Sequence, residues 1–562
     1  MRIGEPAADF SLYIIYIVAI AFYILGVPRP PLAEKACPKS RGRIFFWAMK
    51  RVFAILLVAF TCVGLPAAPN SELPEDVESA LRDRLCPQPK SVEFRRGDFL
   101  LDKTAHVQIA TVEPLGDARK ANIKAVLRKY WKCEPNVAFS KTPPKDFGRE
   151  GYAVKVGDTL SISAKDAVGV GQGLKTLRQL AEAARDGNGY VLPHCDIRDE
   201  ASLEFRGMHI CIFPETTLGQ LEKMVRLASY YKFNYIVLEP WGVFPYKSHP
   251  EFAYADKKLD RAEFKKLINL CRELGITPIP QISILGHGSQ SRVLSSKHAV
   301  LANYPEMERH FEPYGWSYCM TNPDTEKILK DLVAEIWEFY GKPPYIHFGC
   351  DEAYDMGTCH SCRKHPISEL LAAHLKKFDK FAKQLGTRPI IWHDMLLDRQ
   401  DARWGYHVAS GNAEIAKALG KLPKNIVIAD WEYGGIGGDI KKFSSPKYFK
   451  KEGFDVLVSP WNNESGIISL AKTAREDKLL GTLQTTWHHL NSAKSYLLFF
   501  RTAADCAWNG GDSKLRRTKH DALALPMQRA LWQTGSDMEK IPYEANGNSV
   551  RQISYDMPFT EY

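Results

Sequence analysis

The sequence lacks the features that mark a nucleic-acid-binding protein or a disulfide-stabilised scaffold. Its 562 residues carry a formal net charge of +10, but the basic residues form only short clusters such as Lys441-Lys442 and Arg516-Arg517. No long basic stretch with interleaved aromatic residues occurs. A solvated surface therefore explains the charge better than a nucleic-acid site, and we predict no nucleic-acid partner. The twelve cysteines are scattered and show no dense disulfide framework.

A hydrophobic run of full membrane-spanning length is also missing. The apolar run from Leu12 to Val27 is short for a bilayer span, which takes ~20 residues. We interpret residues 1–48 as an upstream extension and expect translation to begin at Met49.

The segment after this extension is typical of a secretory signal peptide. Met49-Lys50-Arg51 precedes an apolar run from Val52 to Val63, and the small residues Ala67-Ala68 follow. Export signals share this order of charged, apolar and small-residue segments. We therefore predict that residues 1–68 are a leader and that the protein is secreted or periplasmic, with membrane contact only if the N-terminal segment is retained.

The length of the chain predicts two or more domains. Between residues 85 and 200, strand-like runs at Ser91–Leu101, His106–Thr111 and Tyr152–Ala164 accompany two helical patterns. This combination predicts a small α+β domain. Residues 511–562 are predicted to form a helical, polar tail.

Residues 201–510 alternate short β-branched runs with amphipathic helical stretches. Eight such units predict a (β/α)8 barrel, a TIM barrel. The alternative is a doubly wound open sheet, but no Gly-rich phosphate loop follows the first strand. The predicted barrel strands are Arg206–Phe213, Tyr235–Glu239, Thr277–Ile284, Tyr345–Gly349, Arg388–Trp392, Ile426–Asp430, Val456–Ser459 and Thr482–Thr486.

Carboxylates, histidines and tryptophans follow these predicted strands repeatedly. In a barrel, active sites assemble at the C-terminal ends of the strands. Aromatic rings stack on sugar rings, while carboxylates and imidazoles bind hydroxyls and move protons, so the set is typical of a sugar site. An Asp-Glu dipeptide alone is common, and the argument depends on all these residues sharing strand ends. They are Glu239, Trp241, His287, Asp351, Glu352, Trp392, Asp394, Trp431, Tyr433, Trp461 and Trp487.

Several motifs along the chain occur together in one enzyme family. In chain order they are Leu85-Cys86-Pro87-Gln88-Pro89-Lys90, Arg206-Gly207, Gly286-His287, Cys319-Met320-Thr321-Asn322-Pro323 and His347-Phe348-Gly349-Cys350-Asp351-Glu352. The last resembles the His-x-Gly-Gly-Asp-Glu motif of family 20 glycoside hydrolases, the β-N-acetylhexosaminidases, with Cys350 in place of the second glycine. The resemblance covers roughly residues 85 to 510.

Some positions depart from the family pattern. Gln281 and Ser283 stand where the family has Glu and Asp on strand three, and Glu239 stands at the end of strand two in place of Asp. His489 replaces the Glu that the family has after Trp487. The pattern is closer to the hexosaminidase D branch, and the departures concern sugar recognition more than the reaction.

The resemblance implies a retaining, exo-acting enzyme that removes terminal GlcNAc or GalNAc from glycans with help from its substrate. In this mechanism the 2-acetamido oxygen attacks the anomeric carbon and gives an oxazolinium intermediate. Asp351 would orient the acetamido group, and Glu352 would act as general acid and then as base. We expect a tryptophan-lined pocket and the charge of Asp351 to raise the pKa of Glu352.

Seven of the remaining strand-end residues, together with Arg206, are the predicted substrate contacts. The resemblance assigns Arg206 to sugar hydroxyls, and His287 and Glu239 to hydroxyls or to holding the acid. The aromatic cage would come from the tryptophans, and Asp394 and Tyr433 would contact hydroxyls or the acetamido oxygen. The full set is Arg206, Glu239, His287, Trp392, Asp394, Trp431, Tyr433 and Trp487.

The segment Cys359-His360-Ser361-Cys362, with Cys350 and His365 nearby, has the spacing of a half zinc site. A complete site takes four well-placed ligands, so a loop disulfide or free thiols explain the segment better. We predict no catalytic metal and no cofactor.

Two alternatives share the same barrel. One is a glycosidase with two separate carboxylates, which would cleave sugars that lack the 2-acetamido group. The other is a carbohydrate-binding protein that has lost catalysis, which the substitutions at Ser283 and His489 would explain.

Overall fold

A computed structural model describes residues 73–131, 134–142, 146–289, 300–404, 408–434, 439–487 and 493–512. The predicted leader, residues 1–68, and nearly all of the predicted tail, residues 511–562, lie outside these ranges. Within the described ranges, no helix combines the length and the apolar content that a bilayer crossing needs.

The first domain is a seven-stranded mixed sheet with helices packed against it. The strand order is β1-β7-β4-β5-β2-β3, with β6 paired to β7. Buried and exposed residues alternate along β2, as expected for a strand with one face on the core. Helix α3 (Ala167–Leu180) is capped by Asp166, whose carboxylate accepts hydrogen bonds from the first-turn N–H groups of Val168 and Gly169. The elements are α1 (Glu75–Arg84), β1 (Ser91–Leu101), β2 (His106–Thr111), α2 (Asp117–Trp131), β3 (Asn136–Lys141), β4 (Tyr152–Val156), β5 (Leu160–Ala164), α3 (Ala167–Leu180), β6 (Glu182–Ala183) and β7 (Tyr190–Asp199).

The second domain is an eight-stranded parallel barrel. Its strands run β10-β9-β8-β15-β14-β13-β12-β11, and a parallel bridge between Gln281 and His347 joins the two outer strands. The predicted (β/α)8 barrel is therefore confirmed. Its strands are β8 (Phe205–Ile212), β9 (Tyr235–Pro240), β10 (Thr277–Pro280), β11 (Tyr345–His347), β12 (Arg388–Trp392), β13 (Val427–Asp430), β14 (Asp455–Val458) and β15 (Gly481–Gln484).

Helices surround this barrel. They present apolar faces to the strands, as in α5, where Phe264, Leu267, Ile268 and Cys271 recur at helical spacing and are buried. The helices are α4 (Leu218–Tyr230), α5 (Arg261–Glu273), α6 (Val300–Asn303), α7 (Pro323–Phe339), α8 (Ile367–Leu385), α9 (Ala413–Ala416), α10 (Ser445–Lys451), α11 (Glu464–Glu476) and α12 (Ala493–Asn509).

The first domain packs on the end of the barrel where the strands begin. The Lys232 ammonium, just before β9, donates to the Tyr152 hydroxyl (2.8 Å) and contacts the Asp199 carboxylate (3.1 Å). The Trp508 indole of α12 donates to the other Asp199 oxygen (2.9 Å) and is part of the apolar core of the first domain. All four side chains are buried. The opposite end of the barrel, where the strands end, is left for the site.

Candidate active site

Asp351 and Glu352 lie just beyond β11, at the end of the barrel where the strands finish. Asp351 is buried, whereas the side chain of Glu352 is 37% exposed. His287, from the loop after β10, connects the two: its Nε2 lies 3.2 Å from Asp351 Oδ2 and 3.3 Å from Glu352 Oε2. One imidazole thus contacts both carboxylates, and only the Glu352 carboxylate is substantially open to solvent.

The backbone at this end of the barrel is strained. His287, Cys350, Glu352 and Trp487 all have a positive φ, between 49° and 73°, which costs on the order of 1–3 kcal/mol for each non-glycine residue. Such strain turns the chain sharply enough for consecutive residues to face one pocket, although neighbours on a strand point to opposite sides. Gly286 is required here because a Cβ at this position would collide with the Asp351 carbonyl oxygen.

The pKa of Glu352 is lowered from its usual value, contrary to our expectation. Burial, the largest single influence, raises this pKa, as does the charge of Asp351. The hydrogen bond and charge of His287 and the hydroxyl of Tyr354, which donates to Glu352 Oε1 at 2.8 Å, outweigh them. The ligand-free site therefore stabilises the carboxylate form of Glu352.

The pKa of Asp394, unlike that of Glu352, is raised. It is fully buried, and burial first, then the charge of Asp351, raises its pKa to about 7. Its Oδ2 accepts a hydrogen bond from the backbone N–H of Glu352 at 2.9 Å. Asp394 thus holds the backbone of the pair through Oδ2, and its contact with the sugar stays a prediction.

An aromatic wall made of Trp431, Tyr433 and Trp487 lies beside the carboxylates. The Trp487 indole donates to the Tyr433 hydroxyl at 2.6 Å, and the rings of Trp431 and Tyr433 stack with centroids 5.5 Å apart. All three are partly exposed. Burial raises the pKa of the Tyr433 hydroxyl, and the charges of Glu352 and Asp351 act in the same direction.

Trp392 and Glu239 lie deeper than predicted. Trp392 is 1% exposed and packs against the rings of Trp487 (5.3 Å) and His347 (4.3 Å) in the barrel interior. Glu239, also 1% exposed, accepts from Gln281 Nε2 at 2.7 Å and lies 3.1 Å from His209 Nε2. In the ligand-free structure Trp392 therefore packs beneath Trp487 of the aromatic wall, and the contact of Trp392 and Glu239 with the sugar stays a prediction.

Arg206 lies at the wrong end of the barrel for a sugar contact, and that prediction is corrected. It is the second residue of β8, so its side chain is at the end where the strands begin. The guanidinium is buried and binds both oxygens of Glu150 in the first domain, at 2.8 and 2.7 Å. The ion pair therefore joins the domains.

Two residues that contact Glu352 were not predicted. Tyr354 follows it by two positions and was visible in the sequence as a polar aromatic next to the pair. Trp316 comes from the long segment between β10 and β11; its indole donates to the Glu352 carbonyl at 2.6 Å, and its ring packs 4.3 Å from the ring of His287.

Comparison with known proteins gives one family for both domains. The model of "Glycosyl hydrolase family 20, domain 2" matches residues 83–200, and that of "Glycosyl hydrolase family 20, catalytic domain" matches residues 243–504. A β-hexosaminidase of Vibrio furnissii is 23% identical over 388 residues, which cover 61% of this chain and 62% of that protein. Hexosaminidase D of Bos taurus is 23% identical over 289 residues, covering 45% of this chain and 75% of that protein. The chain thus spans less than two thirds of the Vibrio protein.

Solved structures show the same fold. The β-N-acetylhexosaminidase of Bacteroides fragilis superposes with a TM-score of 0.61 at 17% identity, over 82% of this chain and 99% of that one. The chitobiase of Flavobacterium johnsoniae gives a TM-score of 0.59 at 17% identity, over 80% of this chain and 72% of that one. At this level of identity the likeness concerns the fold.

Proposed function

The chain belongs to glycoside hydrolase family 20, and on that premise we propose that it is an exo-acting, retaining β-N-acetylhexosaminidase. Its substrates are glycans that end in GlcNAc or GalNAc. The observation that carries the proposal is the adjacent pair Asp351 and Glu352, linked by His287 at the strand ends and flanked by an aromatic wall.

Adjacent carboxylates suit a reaction in which the substrate supplies the nucleophile. Most retaining glycosidases place two carboxylates ~5–5.5 Å apart on either side of the bond, one of them as nucleophile. Asp351 is buried and held by His287, so its role is to accept a hydrogen bond from the acetamido N–H and to stabilise the positive charge that develops. The acetamido oxygen then attacks the anomeric carbon, and Trp431, Tyr433 and Trp487 enclose that group.

Glu352 is the proton donor and acceptor of the proposed reaction. It protonates the leaving oxygen in the first step, and in the second it takes a proton from the water that opens the oxazolinium ring. In the ligand-free site, Tyr354 and His287 favour its carboxylate form. A sugar that displaces the Tyr354 hydroxyl and excludes water would raise the pKa of Glu352 and so favour its protonated form.

The proposal is tested by comparing aryl β-N-acetylglucosaminide, β-N-acetylgalactosaminide and β-glucoside as substrates. We expect cleavage of the acetamido sugars only, with a loss on the order of 10²–10⁴-fold in Glu352→Gln and a large loss in Asp351→Asn. Equal turnover of the glucoside would favour a glycosidase with two separate carboxylates. Sugar binding without turnover would favour a binding protein.

We also propose that the protein is exported. The support is the composition of residues 49–68, which has the charged, apolar and small-residue order of a signal peptide. Mass determination of the mature N-terminus after expression in a secreting host is expected to place it shortly after Ala68. A mature chain that retains Met49 would refute the signal.

A further inference from the structure

Three thiols and one carboxylate converge between the loops that follow β10 and β11. The Sγ atom of Cys319 lies 3.7 Å from the Sγ atoms of both Cys359 and Cys362. Glu312 completes the group, and one ligand atom from each of the four residues lies within 4.8 Å of the others. Glu312, Cys319 and Cys362 are buried, and Cys359 is half-buried. The sequence showed only the Cys-x-x-Cys half of this cluster.

The spacing of these atoms is that of ligands around one tetrahedral metal ion. Zn–S bonds of ~2.3 Å place neighbouring ligand atoms of a tetrahedron about 3.8 Å apart. The two observed sulfur–sulfur distances agree with this value. The nine cysteines in the described part of the chain all carry free sulfurs, so no disulfide occupies the position there.

The carboxylate of Glu312 provides a second, independent indication. Its Oε2 accepts a hydrogen bond from the Cys359 N–H at 2.6 Å. Its Oε1 is buried and makes no hydrogen bond of ordinary geometry with any residue that the structure describes. A buried carboxylate oxygen without a partner is unfavourable because its lost hydration is not replaced, and a bound cation removes that penalty.

The sulfurs are also surrounded by groups that stabilise thiolates. The backbone N–H of Cys362 donates to the Cys359 Sγ at 3.3 Å. The Thr321 hydroxyl lies 3.4 Å from the Cys319 Sγ and 3.3 Å from the Cys362 Sγ. Hydrogen bonds around the ligands are a regular part of metal sites because they orient and stabilise the bound form.

We propose that Cys319, Cys359, Cys362 and Glu312 bind one structural Zn²⁺ ion. Thiolate-rich tetrahedral sites select zinc over hard cations such as Mg²⁺ and Ca²⁺. Because four protein ligands fill the coordination sphere, no position is left for water or substrate, and the ion has a structural role.

The ion would join the two loops that surround Glu352. Phe311 and Tyr318 pair as a short antiparallel hairpin, and the zinc ligands Glu312 and Cys319 lie at its two ends. Trp316, in that hairpin, donates to the Glu352 carbonyl. The other two ligands belong to the loop that begins at Glu352. The proposed metal site does not depend on the proposed function. Only an effect of the metal on catalysis rests on the proposed function.

The test uses the full chain, purified without chelators. Elemental analysis is expected to give about one zinc per chain, and X-ray absorption about three sulfurs at ~2.3 Å with one oxygen. Cys362→Ser is expected to lose the ion, and Glu312→Gln to bind it at least tenfold more weakly. The matched control is Cys271→Ser, a buried thiol in α5, which is expected to keep the ion.

The zinc content of the wild-type protein tests the proposed metal site even if a variant fails to fold. Zinc well below one per chain after incubation with Zn²⁺, or a disulfide between any two of Cys319, Cys359 and Cys362 in peptide maps, would overturn the proposal. Full zinc retention in Cys362→Ser would do the same. A protein that holds zinc without cleaving acetamido sugars would refute the proposed function and leave the metal site standing, and the converse holds for an active protein without zinc.

Discussion

The hydroxyl of Tyr354 adds to the larger effect of His287 in lowering the pKa of Glu352, and Tyr354→Phe tests this contribution. Tyr354 donates to Glu352 Oε1 at 2.8 Å. The substitution removes a donor that stabilises only the carboxylate form, so the pKa of Glu352 is expected to rise. The direction follows from Glu352 having a lowered pKa in the presence of this hydrogen bond.

The size of the effect is limited by solvent. A hydrogen bond to a charged group contributes ~1.5–3 kcal/mol when it is buried. Tyr354 is 43% exposed and the Glu352 side chain 37% exposed, so we discount this to roughly 0.5–1.4 kcal/mol. At about 1.4 kcal/mol per pKa unit, the expected shift is roughly half a unit to one unit.

The assay is the pH profile of kcat/KM on an alkyl β-N-acetylglucosaminide, whose poor leaving group needs the acid. The catalytic acid must be protonated, so kcat/KM falls as pH rises through the pKa of the free enzyme. This alkaline limb is expected to move to higher pH in Tyr354→Phe and to remain in place in Tyr314→Phe. Tyr314 is a matched control because it is an exposed tyrosine of the Trp316 hairpin.

A limb that stays within ~0.2 pH units of wild type, or moves to lower pH, would refute the reasoning. The lowered pKa would then have to come from His287 alone. The limb describes the coupled carboxylates as a group, so only its displacement between variants is interpreted.

Three further predictions concern the surroundings of the pair. Because the pKa of Asp394 is raised to about 7, the folded state binds more protons than the unfolded state between about pH 4 and 7, and its contribution to stability falls as pH rises through that range. The free energy of unfolding of Asp394→Asn minus that of wild type is therefore expected to be ~3–4 kcal/mol more favourable to the variant at pH 8 than at pH 4. The same difference at both pH values in urea unfolding would contradict this. Arg206→Met leaves the partly buried Glu150 without this ion pair and is expected to destabilise the protein by up to ~3–5 kcal/mol with KM unchanged, whereas a raised KM in a folded variant would restore Arg206 to the sugar site. Tyr433→Phe removes the acceptor of the Trp487 indole and is expected to lower kcat/KM for the acetamido sugars by roughly tenfold with little change in thermal stability, since one hydrogen bond is worth about 1 kcal/mol; unchanged kinetics would exclude Tyr433 from the cage.

The strands of the barrel were predictable because buried parallel strands form short β-branched runs bounded by polar residues. Arg388–Trp392 matched the structure residue for residue. The predicted strand Thr277–Ile284 is longer than the observed β10, because the chain stays apolar after it leaves the sheet at Pro280. The positions of Asp351 and Glu352 were predictable for the same reason, because both residues follow closely after the predicted strand β11.

What the sequence did not predict is how deeply some side chains are buried and which segments distant in sequence contact each other. The motif predicts a sugar contact for Arg206, but Arg206 lies near the start of β8, at the end of the barrel opposite the candidate active site. A period-two pattern also does not distinguish the wall of an open pocket from the barrel interior, so the depth of Trp392 and Glu239 could not be predicted. Trp316 and Cys319 depend on contacts between two loops about 40 positions apart, which local patterns do not contain.

The core of the first domain is completed by Trp508, which lies 309 residues after its partner Asp199. The ribosome synthesises the first domain long before α12, so the core of this domain lacks Trp508 while the barrel is being made. A chain released early would leave the Asp199 carboxylate without its indole donor and expose apolar surface. Proteases and chaperones recognise such surface. The core of the N-terminal domain is therefore complete only after Trp508 has been synthesised.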